Sequence, residues 1–418
     1  MSLFAYQLVF LALLAGAVVV RFWLSARHIR HVRAQAGAVP EAFRGSVPLE
    51  AHQKAARYTQ ACVRTGQAGL GSQALIAVLW TSGGFLWRWD ELIAAGEWGF
   101  LSAGTVFLVG FLLVNSLLAL PRAVYRTFKV EERFGFNRTT PKLFVVDFLK
   151  ETMLLVLIAT PLAVIALWVM ERLEFWWWLP VWAIWLAFQV FFTWIYPVFI
   201  LPWFQKLTPL EDGALRTRIE ELVRRTGFRP EGVFVMDGSR RSAHTNAFLT
   251  GIGSHKRVML YDTLIESLDH GQLEAVVAHE LGHSRLRHVP KMLLGSGVGA
   301  ALALVLLALA AADPAFYPAL GVWPSPHAAL ALFFIVFPWA GAVVQPLIVA
   351  WIRRFEFQAD AFAREHTSAH DLVGALVRLY SDNATTLTPD PLYSAYHHTH
   401  PPPGQRVARL EASAGAEV

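Results

Sequence analysis

Seven long apolar runs constrain this chain more than any other feature of its sequence. A helix needs about 20 apolar residues to cross a hydrocarbon core of about 30 Å. The runs that reach or approach this length lie at residues 3–20, 69–87, 100–120, 152–170, 175–201, 292–312 and 328–350. The second is the weakest prediction because Ser82, Gly83 and Gly84 interrupt it. With 55% apolar residues, the sequence predicts a predominantly α-helical multi-pass membrane protein with seven transmembrane helices.

The charges between these runs alternate along the chain. Arginine and lysine cluster after the first and third runs, whereas no Lys or Arg lies between Asp313 and His327. Basic loops face the cytoplasm, so the pattern predicts an outside N-terminus and a cytoplasmic C-terminus. A basic cluster follows the first run and none precedes it, which favours a retained anchor over a cleaved signal. The net charge of +5 is spread over several loops, which argues against nucleic-acid binding.

The runs divide the chain into four parts. We expect an N-terminal membrane block of five helices at 1–206, a soluble metallopeptidase domain at 207–289, a transmembrane hairpin at 290–352 and a second soluble part at 353–418. The first soluble part has the periodicity of a small α+β unit. Its predicted elements are a helix over Leu215–Arg225 and strands over Val233–Met236, Asn246–Leu249 and Val258–Tyr261.

The soluble segment contains the run His279-Glu280-Leu281-Gly282-His283. The pattern of Leu273, Val276, Val277 and Leu281 places this run on a helix, where residues i and i+4 share one face. Both imidazoles can then reach one zinc ion while Glu280 stays beside it as a general base. Zinc lowers the pKa of its bound water to about 7, which makes hydrolysis possible at neutral pH. With Cys62 as the only cysteine, a multi-thiolate metal site and an internal disulfide are excluded.

A peptidase zinc needs a third protein ligand, and Glu356 is the first candidate after the hairpin. Asp360 lies four residues later on the same helical face, where it could orient a ligating imidazole. Alternatively, the two acids only solvate a cytoplasmic helix. The presence of the His-Glu-Leu-Gly-His run favours the ligand interpretation, with one Zn²⁺ per chain.

Several motifs in the same order resemble those of the zinc-dependent CAAX prenyl protease 1 family, and the likeness covers nearly the whole chain. They are Glu131–Asn137, Asp237–Phe248, the His-Glu-Leu-Gly-His run, Arg353–Phe362, and His400-Pro401 followed by Arg406. The resemblance implies an integral membrane gluzincin whose seven helices enclose a water-filled chamber, with the zinc site facing it from the cytoplasmic side.

The resemblance also implies roles for individual residues. His279, His283 and Glu356 would bind zinc, and Glu280 would be the base. His400 would stabilise the tetrahedral oxyanion and Arg406 would brace the site, for instance through Asp360. For these last two, a structural role is the alternative. The residues that would pair with the substrate backbone as an added strand are Asn246, Ala247 and Phe248.

The function that follows is a membrane zinc endopeptidase acting on a peptide or protein, with membrane lipids around it. The family's task is to remove the last three residues of a prenylated C-terminal sequence. Richness in Ala, Arg and Gly favours a bacterial inner membrane, where quality control of membrane proteins is an alternative task. A catalytically inactive scaffold and a transporter are further alternatives. An intact base, Glu280, argues against the scaffold, and the scarcity of charges inside the spans argues against transport.

Overall fold

The computed structural model of the chain describes residues 1–228, 232–251 and 256–414, and helices form most of it. Two of the N-terminal helices are extended by short π-helical segments, Arg126–Glu131 after the fourth helix and Tyr196–Ile200 after the seventh. The helices of this part are α1 (Leu3–Gln35), α2 (Leu49–Trp80), α3 (Phe85–Ala94), α4 (Phe100–Tyr125), α5 (Glu132–Phe134), α6 (Pro141–Arg172), α7 (Trp178–Ile195) and α8 (Leu201–Phe204).

The second half of the chain combines a soluble unit with two further long apolar helices. Its helices are α9 (Ala214–Arg225), α10 (Asp262–Ser267), α11 (His270–Arg285), α12 (His288–Ala311), α13 (Phe316–Ala319), α14 (Pro326–His366), α15 (Ala369–Asp382), α16 (Pro391–His397) and α17 (Pro403–Ala414). Short 3₁₀ turns lie at Glu41–Phe43, Phe175–Trp177 and Gly238–Arg240.

Within the described ranges, six helices are long and apolar enough to cross a membrane, and a seventh span is formed if the bent pair α2 and α3 is counted. The bend between them is 53°. It lies where Gly83 and Gly84 interrupt the weakest predicted run, and Gly84 has a φ of +71°, which a residue with a Cβ rarely adopts. The multi-pass helical architecture is therefore confirmed, with six continuous candidate spans and the bent pair α2 and α3 as the seventh candidate.

The membrane part has its own core, formed where the spans pack together. Leu86, Phe107, Leu167 and Leu332 are among its completely or almost completely buried side chains. By contrast, many large apolar side chains on the outer faces of the helices are exposed, as expected where lipid replaces water.

The soluble unit is built on a four-stranded sheet. Its strands are β1 (Leu207–Pro209), β2 (Gly232–Met236), β3 (Ala247–Thr250) and β4 (Arg257–Tyr261), in the order β1-β2-β4-β3. The pair β2 and β4 is parallel, and the other two pairs are antiparallel. The three predicted strands are present within one residue of their predicted limits. The strand β1 was not predicted.

Helices α9, α10, α11 and α15 bury the apolar side chains of the sheet. Their shared core contains Ile219, Leu222, Leu264, Leu273 and Leu281. The strand β3 is at one end of the sheet, and no described strand pairs with its outer edge. This edge lies against α11, the helix that carries the histidine motif.

The longest helix, α14, has 41 residues and contains both the last span and the segment after it. The predicted limit between hairpin and soluble part, at residue 352, lies inside this one helix. Because a continuous helix rises about 1.5 Å per residue, α14 is long enough to span the membrane and still extend into the soluble unit, where it carries Glu356.

Candidate active site

The helix α11 positions the histidine motif. Asp269 caps it, since its side chain accepts a hydrogen bond from the backbone of Gln272 while the Gln272 side chain bonds back to the Asp269 amide. Leu273, Val277 and Leu281 are completely buried in the core of the soluble unit. Because these three residues fix the rotation of the helix, the two histidines of the motif face away from that core.

Gly282 allows α11 and α14 to approach each other closely. A Cβ atom at this position would lie 3.1 Å from the Cα of Ala359 and 3.1 Å from the Cβ of Phe362. Both contacts are shorter than ordinary van der Waals distances. The glycine between the two histidines thus brings the backbone carrying Glu356 next to the motif.

The two helices bring His279, His283 and Glu356 together at one point. The Nε2 atoms of the two histidines are 3.2 Å apart, and they lie 3.6 Å and 3.4 Å from the Glu356 carboxylate oxygens. For a tetrahedral ion with bonds of 2.0–2.1 Å, ligand atoms are about 3.3–3.4 Å apart. The two distances end at different oxygens, Oε2 for His279 and Oε1 for His283, and the two imidazoles and the carboxylate together form a group that could hold a metal ion.

The electrostatics of the site also suit a cation. Burial alone would lower the pKa of His279, but the carboxylates of Asp360 and Glu356 raise it to about 9. Burial and the neighbouring His279 lower the pKa of His283 to about 4. The carboxylates therefore favour a positive charge at His279, and a metal ion can supply that charge in place of a proton.

Glu280 lies beside this cluster without belonging to it. Burial and the nearby Glu356 raise the pKa of its carboxyl group, whereas His279 lowers it. The backbone of Leu249 in β3 lies against this carboxyl group. Glu280 is therefore between the metal-binding cluster and the outer strand of the sheet, as a base acting on a bound peptide requires.

Asp360 connects the first histidine to Arg406. Its Oδ1 lies 2.9 Å from His279 Nδ1, and its two oxygens accept hydrogen bonds from Arg406 Nε at 2.8 Å and Nη2 at 2.5 Å. Both Asp360 and Arg406 are buried. The arginine thus holds the carboxylate, and the carboxylate faces the imidazole.

The second histidine has a support that sequence reasoning missed. His288 Nδ1 is 3.0 Å from His283 Nδ1, and His288 Nε2 is 3.0 Å from Gln358 Oε1. The chain turns sharply between α11 and α12, because Arg287 has a left-handed φ of 56°, and this turn returns His288 to the site. The signal available in the sequence was a histidine five residues after the motif.

His400 lies next to Glu356. Its Nδ1 is 2.6 Å from Glu356 Oε2, and 68% of its side chain is exposed. With Nδ1 occupied, Nε2 is the ring nitrogen available to a ligand. His400 therefore contacts the cluster through Glu356, the predicted third metal ligand.

The three predicted substrate-binding residues lie at the start of β3. Asn246 is exposed and precedes the strand by one residue, and its carbonyl accepts a hydrogen bond from the Tyr261 amide. Ala247 and Phe248 pair with Leu260 and Met259 of β4. Within the motif Asp237–Phe248, only the last two residues belong to a strand. The residues before them form a 3₁₀ turn and a loop.

A polar network connects this strand to the membrane block, and sequence reasoning missed its members Tyr58 and Asn383. Tyr58 Oη donates to both oxygens of Glu131, at 3.0 and 2.9 Å. His244 lies 3.4 Å from Glu131 and 3.2 Å from Asn383. Phe136 stacks on His244 with ring centres 4.2 Å apart. The two motifs Glu131–Asn137 and Asp237–Phe248 are thus in direct contact.

Comparison with known proteins agrees with this arrangement. Residues 28–206 match the family model described as CAAX prenyl protease N-terminal, five membrane helices. Residues 209–414 match the model of peptidase family M48. Together the two models account for most of the chain, membrane part and soluble part alike.

Individual relatives share the same description. A CAAX prenyl protease 1 homolog of Arabidopsis thaliana is 36% identical over 73% of this chain and 72% of its own length. CAAX prenyl protease 1 of Saccharomyces cerevisiae is 34% identical over 71% of this chain and 70% of its own length. The crystal structure of S. mikatae Ste24p superposes with a TM-score of 0.90 at 27% identity, covering 97% of this chain and 99% of that one. The chain therefore belongs to the CAAX prenyl protease 1 family and is a membrane metalloendopeptidase with a peptidase domain of family M48.

Proposed function

We propose that the metal is zinc, one ion per chain, held by His279, His283 and Glu356, and that Glu280 is the general base. The observation that carries this proposal is the convergence of three ligand groups: the histidine Nε2 atoms are 3.2 Å apart, and each lies 3.4–3.6 Å from one oxygen of the Glu356 carboxylate. These distances are close to the separation of about 3.3–3.4 Å between ligand atoms of a tetrahedral ion with bonds of 2.0–2.1 Å. When bound there, zinc lowers the pKa of a coordinated water to about 7 and polarises the scissile carbonyl.

The chain's own residues perform the remaining steps. Glu280 accepts the proton of the attacking water and transfers it to the leaving amine, a role that its raised pKa suits. His400 is oriented through its Nδ1 by Glu356, and with both ring nitrogens protonated its Nε2 donates to the developing oxyanion. Asp360 fixes the ring of His279, and Arg406 fixes Asp360.

The substrate is an extended peptide that adds a strand to the outer edge of β3. Asn246, Ala247 and Phe248 supply the first part of this edge, and the backbone of Leu249 lies against Glu280. A strand added there passes the general base. Because the relatives are named CAAX prenyl proteases, we take the physiological substrate to be a prenylated C-terminus at the membrane surface.

The same proposal covers location and organisation. The N-terminus is outside, and the peptidase unit and C-terminus are cytoplasmic, since the basic residues cluster on that side. We propose a bacterial inner membrane as the location, because the sequence is rich in Ala, Arg and Gly. The membrane block ends at 206, the first peptidase segment at 289 and the transmembrane hairpin at 352, and residues 353–418 complete the site.

Cleavage of two unfolded peptides tests the proposal, one with a farnesylated cysteine box at its C-terminus and one without it. Purified wild type and Glu280→Gln are compared, with zinc quantified in both. We expect about one zinc in each and a loss of roughly 10²- to 10⁴-fold in kcat for the variant. Preferred cleavage of the plain peptide would instead support quality control. Absence of zinc from the wild type would refute the site.

A further inference from the structure

A polar cavity of about 300 Å³ lies between α1, α2, α4 and α16. Two arginines line it, Arg21 of α1 and Arg122 of α4, together with His397 at the end of α16. Its remaining lining is apolar or neutral, and no aspartate or glutamate contributes to it. The cavity is therefore basic, although it lies close to the apolar ends of three spans.

The donors in this cavity lack an anionic partner. Arg21 donates to Gln345 Oε1 at 3.4 Å, and neither Arg21 nor Arg122 forms an ion pair with any acid in residues 1–228, 232–251 and 256–414. His397 Nε2 is buried there without a hydrogen-bond partner. Burial and the charge of Arg21 lower the pKa of His397 to about 4, so its imidazole is neutral at physiological pH. Arg122 is exposed and Arg21 is half-buried, so both guanidinium groups are accessible to an anion, which they would bind through charge-assisted hydrogen bonds.

The position of Arg122 depends on a glycine in α2. A Cβ atom at Gly69 would lie only 2.7 Å from Arg122 Cδ, so the arginine can pack over α2 at this point because the side chain of Gly69 is absent. The cavity is shaped by this contact.

The cavity is connected to the proposed zinc site through α14, because Arg21 contacts Gln345 of this helix. Gln345 and Glu356 are eleven residues apart on α14, which corresponds to about 16 Å along the helix axis. His397 and His400 are three residues apart in the chain. The segment that lines the cavity therefore leads directly to the histidine that contacts Glu356.

Building on the proposed function, we propose that this cavity binds the C-terminal carboxylate of the peptide substrate. Three extended residues span about 10–11 Å, and a guanidinium–carboxylate contact adds about 4 Å between the two central carbons. The sum is close to the separation of Gln345 and Glu356 along the axis of α14. The enzyme thus selects a bond three residues from a free chain end, because the carboxylate is bound at Arg21 and Arg122 while the scissile bond lies at Glu280.

Two matched fluorogenic peptides test this inference, identical except for a C-terminal carboxylate or carboxamide. We expect the wild type to prefer the carboxylate by about ten- to a hundredfold in kcat/KM. In Arg21→Gln/Arg122→Gln this ratio falls towards one, and Arg21→Lys/Arg122→Lys retains part of it. Arg64→Gln, an exposed arginine of α2 outside the cavity, keeps the full ratio. Zinc content and thermal midpoint identify any variant that has not folded.

Direct binding separates this proposal from the proposed function. If the wild type cuts neither peptide, the proposed function fails. The carboxylate site is then tested by binding alone, with fluorescence anisotropy of a labelled tripeptide that ends in an acid or in an amide. Tighter binding of the acid that is lost in the double glutamine variant supports the carboxylate site, and equal binding overturns it. An undiminished ratio in that variant also overturns it.

Vesicles with and without phosphatidylglycerol test a lipid headgroup as the occupant. Native mass spectrometry measures the anionic lipid retained by the wild type and by the double glutamine variant. Lipid that is retained only by the wild type, together with an acid-to-amide ratio of one, would assign the cavity to a headgroup and overturn the proposal.

Discussion

Asn383 pairs with Thr245 as one strand residue pairs with another. Its Oδ1 accepts a hydrogen bond from the Thr245 amide at 2.9 Å, and its Nδ2 donates to the Thr245 carbonyl at 3.0 Å. Thr245 is buried and lies two residues before β3. The side chain of α15's C-cap residue thus fixes the entry to the strand on which we propose that substrate binds.

Asn383→Ala should weaken peptide binding without loss of metal. Two buried backbone groups lose their partner, at about 1–3 kcal/mol each, so the start of β3 becomes mobile and KM rises more than kcat falls. Asn383→Asp keeps the acceptor and loses the donor, and we expect an intermediate effect. Steady-state kinetics and zinc quantification measure both. An unchanged KM, or zinc loss equal to the activity loss, would contradict this role.

His288→Ala should lower zinc affinity about 10- to 100-fold, the usual effect of removing a residue that orients a ligating histidine. His288 holds His283 through its Nδ1 and is itself held by Gln358. Competition with a chelator measures the affinity. The control is His270→Ala, an exposed histidine at the start of α11, for which the affinity should not change. Equal zinc affinity in the two variants would show that His288 is only a packing residue.

Gly282→Val should destroy the metal site by separating two helices. Its side chain would overlap Ala359 and Phe362 of α14, and relief of an overpacked contact costs about 1–3 kcal/mol. The separation moves Glu356 away from His279 and His283. Gly299→Val on α12, where no atom lies within 4 Å of the added Cβ, is the control. Zinc content and the thermal midpoint are measured, and full zinc occupancy in Gly282→Val would refute the prediction.

Arg406→Met should destabilise the protein by about 3–5 kcal/mol, because it leaves the buried carboxylate of Asp360 without its cation. In the double variant Asp360→Leu/Arg406→Met, both partners are apolar, so stability should recover while zinc affinity does not. Chemical unfolding in detergent and chelator competition measure these two quantities. Recovery of both in the double variant would mean that Asp360 does not orient His279.

Removal of the metal should lower the apparent stability of the wild type. The ion would join the proposed ligands of α11 and α14, and a ligand present at 1,000 times its Kd stabilises by about 4 kcal/mol. Dialysis against a chelator should therefore lower the thermal midpoint, and added zinc should restore it. Glu280→Gln should show the same shift and His283→Ala should not. A shift of equal size in His283→Ala would place the stabilising ion elsewhere.

Local signals in the sequence were sufficient for the spans, for α11 and for three of the four strands. The residues of the His-Glu-Leu-Gly-His run are close in sequence, so helical spacing alone predicts that His279 and His283 share one face. The strand β1 was missed because it has three residues and ends with Pro209, which provides no alternating pattern to detect.

Tertiary contacts were beyond such reasoning. The pairing of His244 with Asn383 joins residues that are 139 positions apart, and neither belongs to a local motif that requires the other. The continuity of α14 could have been predicted from the sequence. No glycine or proline lies between Pro346 and His366, so nothing in the sequence ends the helix at residue 352.

The proposed ligands lie on both sides of the transmembrane hairpin, with His279 and His283 before α12 and Glu356 at the far end of α14. During synthesis, the first two are complete before the third has been made, and Glu356 reaches them only when the hairpin has crossed the bilayer and returned. The peptidase therefore cannot become active as a soluble nascent fragment. With this proposed set of ligands, correct insertion into the membrane acts as the activation step of the peptidase.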